Sequence, residues 1–547
     1  MTSPAMAPDL ILLNARIRTM DPFIRAAPAI AIRNGIVLAL GTEDAIRALA
    51  GPGTRILNGR GYTVLPGLQD PHIHLLDGGT DLIFSAALWD VAEIAGLQAA
   101  LTAHARRITG DFVMGAGWQM GFFNESNLTR QVLDAAVPDR PCLIYDGNYH
   151  NACLNSAAIA WIGLARDTPD PVNGRFVRDG AGEATGFLHE DAIYWARARL
   201  PVISDTTLLE GLRAGQAHAN RHGITGIIDP QIVDHHLRIY AALAANGGLT
   251  VRVAGAAGVF ARDTVATALP RLLAQRAAHQ TDFFQINAAK FFLDGGLENR
   301  TAAMIAPYSD ALGGNAPLMM PPDQIESLFT ALDAARFQIH VHCIGDMATR
   351  AALDGFEKAR AANGRWPSLH QIAHVEVVDP ADFPRFAQLG VMANMQPLWA
   401  CWDPVIPDQT MEMVGDRLAC VYPFRSLIDA GAPYCLGSDF SVTTLNPFEI
   451  METAVTRQAP RRRGQREAFV PLQRITIGEA LLGYTRHAAA ACWRGQATGH
   501  LGVGASADLI IIDRDILTCD PYAISETEVL LTMLAGREVY RAAGFDG

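Results

Sequence analysis

The chain of 547 residues exceeds the usual size of one domain, although an α/β barrel alone can take roughly 250 to more than 400 residues. Half of its residues are hydrophobic and 18% are charged, which indicates a large buried core and excludes extensive disorder. The net charge of −12 and the isoelectric point near 5.7 argue against a nucleic-acid partner and against an anionic membrane surface.

Targeting signals and cysteine usage indicate the cellular compartment of the protein. The first residues show no charged segment followed by a long apolar run, and no run of about 18 apolar residues occurs, so we expect neither a signal peptide nor a transmembrane helix. The eight cysteines form no C-x-x-C pair and lack the close spacing of a disulfide framework. These features predict a cytoplasmic protein that does not bind a membrane.

Both ends of the chain are predicted to be rich in β-strands. Strand-like residues 29–33 and 36–40 flank Asn34-Gly35, which is a strong hairpin signal. Residues 499–513 again read as a strand punctuated by glycines. The simplest architecture joins the two ends in one small β-sandwich domain, formed by residues 1–66 and 491–547.

In the middle of the chain, short apolar runs alternate with amphipathic helical stretches. About eight such pairs predict an α/β fold whose parallel sheet closes into a (β/α)8 TIM-type barrel, which we place at residues 67–490. Residues 111 to about 200 fit this alternation poorly. We interpret them as an insertion at the barrel mouth.

His72 and His74 follow the last strand-like run before the predicted barrel. Side chains alternate with period 2 along a strand, so both imidazoles would point to the same side. Neutral imidazole is a common ligand of zinc and similar ions, which makes the pair half of a metal site. Taken alone, such a pair is more often two surface histidines beside a turn.

Further potential ligands stand at predicted strand ends, where a (β/α)8 barrel carries its working residues. His342 ends a strand that also contains His340, His374 ends the next strand, and Asp439 follows the last one. His342 is favoured as a ligand, with His340 as a supporting neighbour or a packed core histidine. Taken singly, His374 also fits a core position and Asp439 a loop cap.

Lys290 lies within an apolar strand-like run. An unpaired buried ammonium is costly, so this lysine must lose its charge, find an anion or be chemically modified. Pairing with Asp294 or Glu298 is the simplest alternative.

The order His-x-His, Lys, His, His, Asp along alternating strands resembles the metal-dependent amidohydrolase superfamily. Within it, the chain is most similar to amidohydrolase family 3, the YtcJ-like branch, and the resemblance spans nearly the whole chain. Five stretches carry it: Gly117-Trp118, residues 150–156, residues 290–295, residues 342–346 and Gly437-Ser438-Asp439.

The resemblance implies a metal centre of one or two divalent ions, zinc being the expected metal. His72 and His74 would bind the more buried ion with Asp439. Lys290, carboxylated by carbon dioxide, would become an anionic ligand able to bridge two ions, and His342 and His374 would complete the second site. A metal ion can lower the pKa of water from about 15.7 to about 7, which supplies hydroxide at neutral pH. Asp439 would take the proton on attack and pass it to the leaving nitrogen.

Eight other residues are predicted to surround the substrate or the ligands. His150, Asn155 and Trp118 are candidates for substrate contacts, with Trp399 and Trp402 as further candidates for an apolar pocket. Asp346, Arg300 and His340 are candidates for orienting the metal ligands. Each has a structural alternative: local hydrogen bonds for His150 and Asn155, core packing for the tryptophans, and a solvated loop charge for Asp346 and Arg300.

The resemblance also indicates a reaction. N-substituted formamide deformylases of this branch resemble the chain in length and motif set, so the preferred function is hydrolysis of a small-molecule formamide to an amine and formate. The alternatives are another cyclic or linear amide, a carbamate, a urea or an ester, and a non-catalytic barrel relative. We disfavour the non-catalytic relative because all six ligand positions are filled. A homodimer is a further expectation.

Overall fold

The computed structural model describes residues 7–108, 110–402, 408–464 and 466–547. Its N-terminal segment contains helix α1 (Glu43–Arg47) and strands β1 (Leu10–Leu13), β2 (Arg16–Arg18), β3 (Ala26–Ala27), β4 (Ala29–Arg33), β5 (Ile36–Gly41), β6 (Arg55–Asn58) and β7 (Thr63–Pro66). Strands β4 and β5 pair antiparallel across Asn34 and Gly35, whose φ angles are 50° and 75°. These left-handed values suit the tight hairpin turn that an Asn-Gly pair favours, and the hairpin prediction is confirmed.

The next segment opens the barrel and then leaves it. Strand β8 (Leu68–Asp70) leads to helix α2 (Leu75–Phe84), after which the chain builds a separate sheet. Its elements are β9 (Ser85–Ala87), α3 (Ile94–Arg107), β10 (Val113–Trp118), α4 (Arg130–Asp134), β11 (Cys142–Asp146), β12 (Asn151–Leu154), α5 (Ser156–Ile162), β13 (Gly174–Arg178), β14 (Ala184–Glu190) and α6 (Asp191–Arg197).

The separate sheet begins earlier than the insertion that the sequence predicted. It has the strand order β13-β14-β12-β11-β10-β9, so it starts at Ser85 and not near residue 111. Helix α3 is amphipathic and follows a strand, so its sequence resembles that of a barrel helix. In the structure α3 packs instead on β9 and β10 of the inserted sheet.

The chain then returns to the barrel. The remaining elements are α7 (Asp205–Arg221), β15 (Ile224–Ile232), α8 (Asp234–Ala245), β16 (Arg252–Gly258), α9 (Val265–Ala278), β17 (Phe284–Phe292), α10 (Pro322–Ala334), β18 (Gln338–Cys343), α11 (Asp346–Asn363), β19 (Gln371–His374), α12 (Phe383–Leu389), β20 (Met392–Met395), α13 (Asp408–Val414), α14 (Phe424–Asp429), β21 (Tyr434–Leu436), α15 (Pro447–Thr456), α16 (Ile477–Tyr484), α17 (Arg486–Ala491), β22 (Leu509–Ile512), β23 (Val529–Leu534) and β24 (Arg537–Arg541).

Eight parallel strands form the barrel sheet, in the order β8-β15-β16-β17-β18-β19-β20-β21. The first and last strands meet just beyond their ends, where the Asp439 amide donates to the His72 carbonyl oxygen at 2.8 Å. A Cβ atom at Gly437 would lie 3.0 Å from the His72 Cβ, so glycine permits this approach. The predicted TIM-type barrel fold is confirmed.

Both termini contribute to one β-structure beside the barrel. Strand β7 pairs antiparallel with β22 inside a six-stranded sheet of order β24-β23-β22-β7-β2-β3, and β1, β4, β5 and β6 form a second sheet. The buried Arg252–Asp508 ion pair, with an Nε–Oδ2 distance of 3.0 Å, ties the barrel to this structure.

Two sequence expectations concern the whole chain. All eight cysteines are free thiols. Among the described residues, no helix combines the length and the apolar character needed to cross a membrane.

Candidate metal centre

His72 and His74 lie in the loop between β8 and α2, not in a regular strand as the period-2 argument assumed. They nevertheless approach the same carboxylate. Nε2 of His72 lies 3.6 Å from Oδ1 of Asp439, and Nε2 of His74 lies 3.3 Å from the same oxygen. One ligand atom from each of the three residues falls within 4.8 Å of the other two. This arrangement could hold a metal ion.

The other predicted ligands come from neighbouring strand ends. Residue pairing between β17, β18 and β19 sets Lys290 beside His340, and Cys343 beside His374. The His342 and His374 rings lie 4.5 Å apart, and the His72 and His374 rings 4.9 Å. Nδ1 of His374 is 3.9 Å from Oδ2 of Asp439. The structure therefore brings all of the predicted ligand side chains to one rim of the barrel.

Lys290 is 1% exposed and its amine lies among these imidazoles. Its Nζ is 4.6 Å from the centre of the Phe292 ring, and within the described ranges it makes no ion pair. Asp294, the alternative partner, instead accepts hydrogen bonds from the amides of Ala303, Ile344 and Gly345. Burial lowers the pKa of Lys290 to about 8, which raises the fraction of neutral amine that can react.

Burial also sets the protonation state of the imidazoles. It lowers the pKa of His72, His342 and His374 well below the usual value, and neighbouring positive groups add to the effect. His74 differs: burial opposes its charge, but the adjacent Asp439 carboxylate raises its pKa. Neutral imidazoles beside a carboxylate are suitable ligands for a divalent ion.

Two buried polar atoms without a hydrogen-bond partner bear on whether these residues could hold a metal ion. Nδ1 of His374 and Oδ1 of Asp439 are buried and have no hydrogen-bond partner among the described residues. Buried polar atoms are seldom left without a partner, because the desolvation cost is then uncompensated. Histidine nitrogen and carboxylate oxygen are the ligands that zinc takes in catalytic sites, so the donor set fits such an ion.

His340 contacts one of the predicted ligands. It is fully buried, and its Nε2 lies 3.0 Å from Nδ1 of His72. When Nε2 of His72 faces a metal, Nδ1 carries the hydrogen and donates it to His340. The structure places His340 where the sequence predicted a supporting residue.

Asp346 and Arg300 do not contact the ligands, which corrects their predicted role. Asp346 begins α11 and accepts a hydrogen bond of 2.7 Å from the Ile305 amide. Arg300 pairs with Asp310 at 2.6 Å. Both bind nearby loop segments, so their charges are satisfied away from the centre.

Two aspartates that the sequence did not predict as supporting residues lie closer to the predicted ligands. Asp294 is 3.9 Å from Nε2 of His342. Asp70 is fully buried and accepts hydrogen bonds from the amides of His72 and Ser438, both at 3.1 Å. It thereby joins the His72 loop to the loop of Asp439. Asp294 stands in the stretch 290–295 that carries the resemblance, and Asp70 lies two residues before His72.

His150 reaches the centre from the inserted sheet. Its ring lies 5.7 Å from that of His342, and its Nδ1 lies 2.8 Å from Oε2 of Glu190. Glu190 also accepts a hydrogen bond from the Thr301 hydroxyl. Burial opposes the charge of His150, but Glu190 outweighs it and raises the pKa to about 9. His150 is therefore a cation at neutral pH, with an N–H donor to offer.

Asn155 and Trp118 have structural roles instead of the predicted substrate contacts. Asn155 caps α5, and its side chain accepts from the amides of Cys142 and Ala158 and donates to two carbonyl oxygens. This uses its whole hydrogen-bonding capacity. Trp118 is fully buried and packs within the inserted sheet against Phe187.

Trp399 is the tryptophan that contacts the centre. Its ring stacks on His374 with the centroids 4.9 Å apart and the planes 4° apart. Trp402 packs elsewhere, edge-on against Phe469. The stacking fixes the plane of the His374 imidazole and supplies an apolar wall beside it.

Comparison with known proteins decides the family. A family model described as an amidohydrolase family matches residues 55–540. The chain belongs to this family. This amidohydrolase is thus a hydrolase acting on carbon–nitrogen bonds, as the resemblance predicted.

Similar proteins cover nearly the whole chain. Protein LONG AFTER FAR-RED 3 of Arabidopsis thaliana is 28% identical over 99% of this chain and 93% of its own length. Putative amidohydrolase YtcJ of Bacillus subtilis is 26% identical over 94% of this chain and 96% of its own. N-substituted formamide deformylase of Arthrobacter pascens is 26% identical over 98% of this chain and 99% of its own length.

A solved structure supports the fold. An uncharacterized metal-dependent hydrolase from Pyrococcus horikoshii superimposes with a TM-score of 0.76, at 24% identity, over 94% of this chain and 99% of its own.

Proposed function

We propose that this amidohydrolase cleaves an N-substituted formamide into an amine and formate. The observation that carries the proposal is the approach of His72 and His74 to one oxygen of Asp439, at 3.6 and 3.3 Å. The similarity to N-substituted formamide deformylase over almost the full length of both chains supports the choice of substrate.

The ligand set is proposed to be His72, His74, Lys290, His342, His374 and Asp439. When bound there, one or two divalent ions, zinc by the chemistry of the donors, would lower the pKa of a water molecule and polarise the substrate carbonyl. Among the described residues the buried amine of Lys290 makes no ion pair, and carboxylation would convert it into an anionic ligand.

Asp439 is proposed as the proton carrier. Its carboxylate lies between the imidazoles of His72, His74 and His374. It takes the proton of the attacking water as the new C–O bond forms, and gives it to the nitrogen as the C–N bond breaks. Water and the formamide are thereby converted into formic acid and an amine, with no other reactant.

His150 is proposed to bind the substrate carbonyl oxygen. Glu190 holds one ring nitrogen of His150, which fixes the ring and keeps it protonated. The other ring nitrogen can donate to the oxygen, where negative charge develops during attack. Trp399, stacked on His374, gives an apolar surface for the N-substituent.

The cellular compartment and the class of binding partner are also proposed. Eight free thiols suit the reducing cytoplasm, and the acidic net charge suits a small-molecule substrate instead of a nucleic acid. Homodimer formation stays a prediction.

The test measures formate released from N-benzylformamide by the purified holoenzyme. N-benzylacetamide serves as the matched amide and benzyl formate as the matched ester. We expect formate from the formamide, loss of the reaction on chelation and recovery with added zinc. Cleavage of other amides but not of formamides would overturn the substrate assignment. Metal-free protein that releases formate as fast as the holoenzyme would overturn the metal-dependent mechanism.

A further inference from the structure

A second group of potential ligands lies outside the set described above. It consists of Asp77 on α2 and of His235 and His236 in the first turn of α8. One ligand atom from each residue falls within 4.8 Å of the other two. Among the described residues, only this group and that of His72, His74 and Asp439 have such a geometry.

The distances suit a tetrahedral ion. Ligand atoms about 2.0–2.1 Å from a tetrahedral zinc are separated by about 3.3 Å. Nε2 of His236 lies 3.1 Å from Oδ2 of Asp77, close to that value. The His235 ring lies beside the His236 ring, with centroids 4.2 Å apart and planes inclined by 35°. The ligand atom of His235 lies within 4.8 Å of those of His236 and Asp77, so its ring must move closer to complete a tetrahedral site.

A simple ion pair between His236 and Asp77 accounts for only two of the three residues. His235, whose ring lies against that of His236, makes no ion pair with a carboxylate among the described residues. Burial lowers the pKa of His235 to about 4, so this imidazole is neutral and has a lone pair to offer. Two imidazoles and one carboxylate form the donor set of many zinc sites.

Charges around the group are compatible with a cation. The positive end of the α8 dipole opposes it, but Asp234 in the first turn and Asp77 itself offset this field. Arg238, on the same helix, is engaged by Asp205 through two hydrogen bonds of 2.7 Å. The guanidinium charge is therefore largely neutralised.

We propose that Asp77, His235 and His236 bind an additional divalent ion of the zinc type. Three protein ligands leave the fourth position to water. The ion would join α8 to α2, one helical turn beyond His74, and would lie beside the proposed metal centre without sharing its ligands. This proposal does not depend on which amide the enzyme cleaves.

The test counts zinc bound per chain after equilibration of the holoenzyme against zinc buffers of rising free concentration. The variants are His235→Ala and Asp77→Asn. The matched control is His279→Ala, which removes another half-buried histidine whose pKa is lowered by burial. We expect the wild-type chain and the control to bind one equivalent more than either variant, and to gain more in Tm from the added zinc.

Equal zinc stoichiometry in all four proteins would overturn the proposal. Formate release at limiting zinc separates this outcome from failure of the proposed function. A chain that releases formate but lacks the extra equivalent contradicts only the additional site. A chain with the extra equivalent but no formate contradicts only the formamide assignment.

Discussion

His340 holds His72 through a contact of 3.0 Å between its Nε2 and the Nδ1 of His72, on the side of the ring opposite the nitrogen that faces Asp439. Residues that fix a metal-ligating histidine in this way typically contribute about 10- to 100-fold to metal affinity. We expect His340→Ala to weaken zinc binding by a factor in that range, measured by competition with a chelator. His370→Ala removes a buried histidine at the other end of neighbouring strand β19 and is the control. Equal losses in both variants would mean that His340 acts only through packing.

Asp439→Asn tests the proton carrier. The amide keeps the shape of the side chain but cannot accept the proton, so we expect kcat to fall by about 10²- to 10⁴-fold in a folded protein. Metal content and circular dichroism are measured alongside, because Asp439 is also a proposed ligand. Asp346→Asn, which alters a carboxylate at the start of α11, should retain most of the activity. A near-normal rate for Asp439→Asn would refute the assigned role.

The sequence predicted that the candidate ligand side chains lie close together, because a parallel barrel brings its carboxyl strand ends to one rim. Their assignment as ligands follows from the resemblance to the family and stays a prediction. The sequence did not predict supporting contacts that depend on distant segments. Asp70 binds the amide of Ser438, 368 residues further along the chain. Asp346 ends a recognised motif, yet its carboxylate points to Ile305, whereas Asp294 of another motif reaches His342.

The local sequence pattern also did not predict the role of residues whose side-chain hydrogen bonds determine where they lie. Asn155 lies in a motif shared with the family, but its amide is fully used in capping α5 and in holding the start of β11. The period-2 argument for His72 and His74 requires a strand, but the strand before them ends at Asp70. Their convergence comes from the loop and from the positive φ of Asp439, 55°, neither of which has a short-range signal.

His150→Phe tests the binding of the carbonyl oxygen. Loss of one donor to a developing oxyanion typically lowers kcat by about 10²- to 10³-fold, and we expect a loss of that order. His189→Phe is the matched control, because this histidine stands next to Glu190 on β14 but pairs with Glu125. A similar loss in both variants would indicate damage to the inserted sheet.

The same histidine predicts a dependence on pH. Glu190 raises the pKa of His150 to about 9, so the protonated donor is present at neutral pH and is lost as the pH rises through that value. We expect kcat/KM to fall on the alkaline side. In Glu190→Gln the fall should move to lower pH, toward the ordinary histidine value of about 6.5. An unchanged pH profile of kcat/KM in this variant would mean that the fall at alkaline pH is not caused by deprotonation of His150.

Lys290 predicts how the centre assembles. Carbon dioxide reacts with a neutral amine, and burial lowers the pKa of Lys290 to about 8, so the reactive fraction rises as the pH approaches that value. We expect metal-free protein to regain activity with zinc faster near pH 8 than two units lower, and only when bicarbonate is supplied. Lys290→Met should lose this dependence and bind less zinc. Recovery of activity at the same rate with and without bicarbonate would argue against carboxylation of Lys290.

Asp333 predicts a contribution to stability at the opposite end of the barrel strands. Its buried carboxylate accepts hydrogen bonds from the side chains of His370 (2.9 Å), Trp366 (2.6 Å) and Asn363 (2.8 Å). Burial opposes its charge, but these bonds prevail and lower the pKa of Asp333 below its ordinary value. Its stabilisation is therefore complete above about pH 4 and is lost as the pH falls through the lowered pKa.

We expect Asp333→Asn to lower the free energy of unfolding by about 1.5–3 kcal/mol near pH 7, the range for hydrogen bonds to a charged group. Urea denaturation followed by circular dichroism measures this difference. The two proteins should converge as the pH falls below about 4, because the wild-type carboxylate then becomes neutral as well. Asp354→Asn, which alters an exposed carboxylate paired with Arg385, should cost less than about 1 kcal/mol. A gap between Asp333→Asn and the wild type that stays constant with pH would assign the loss to packing and not to charge.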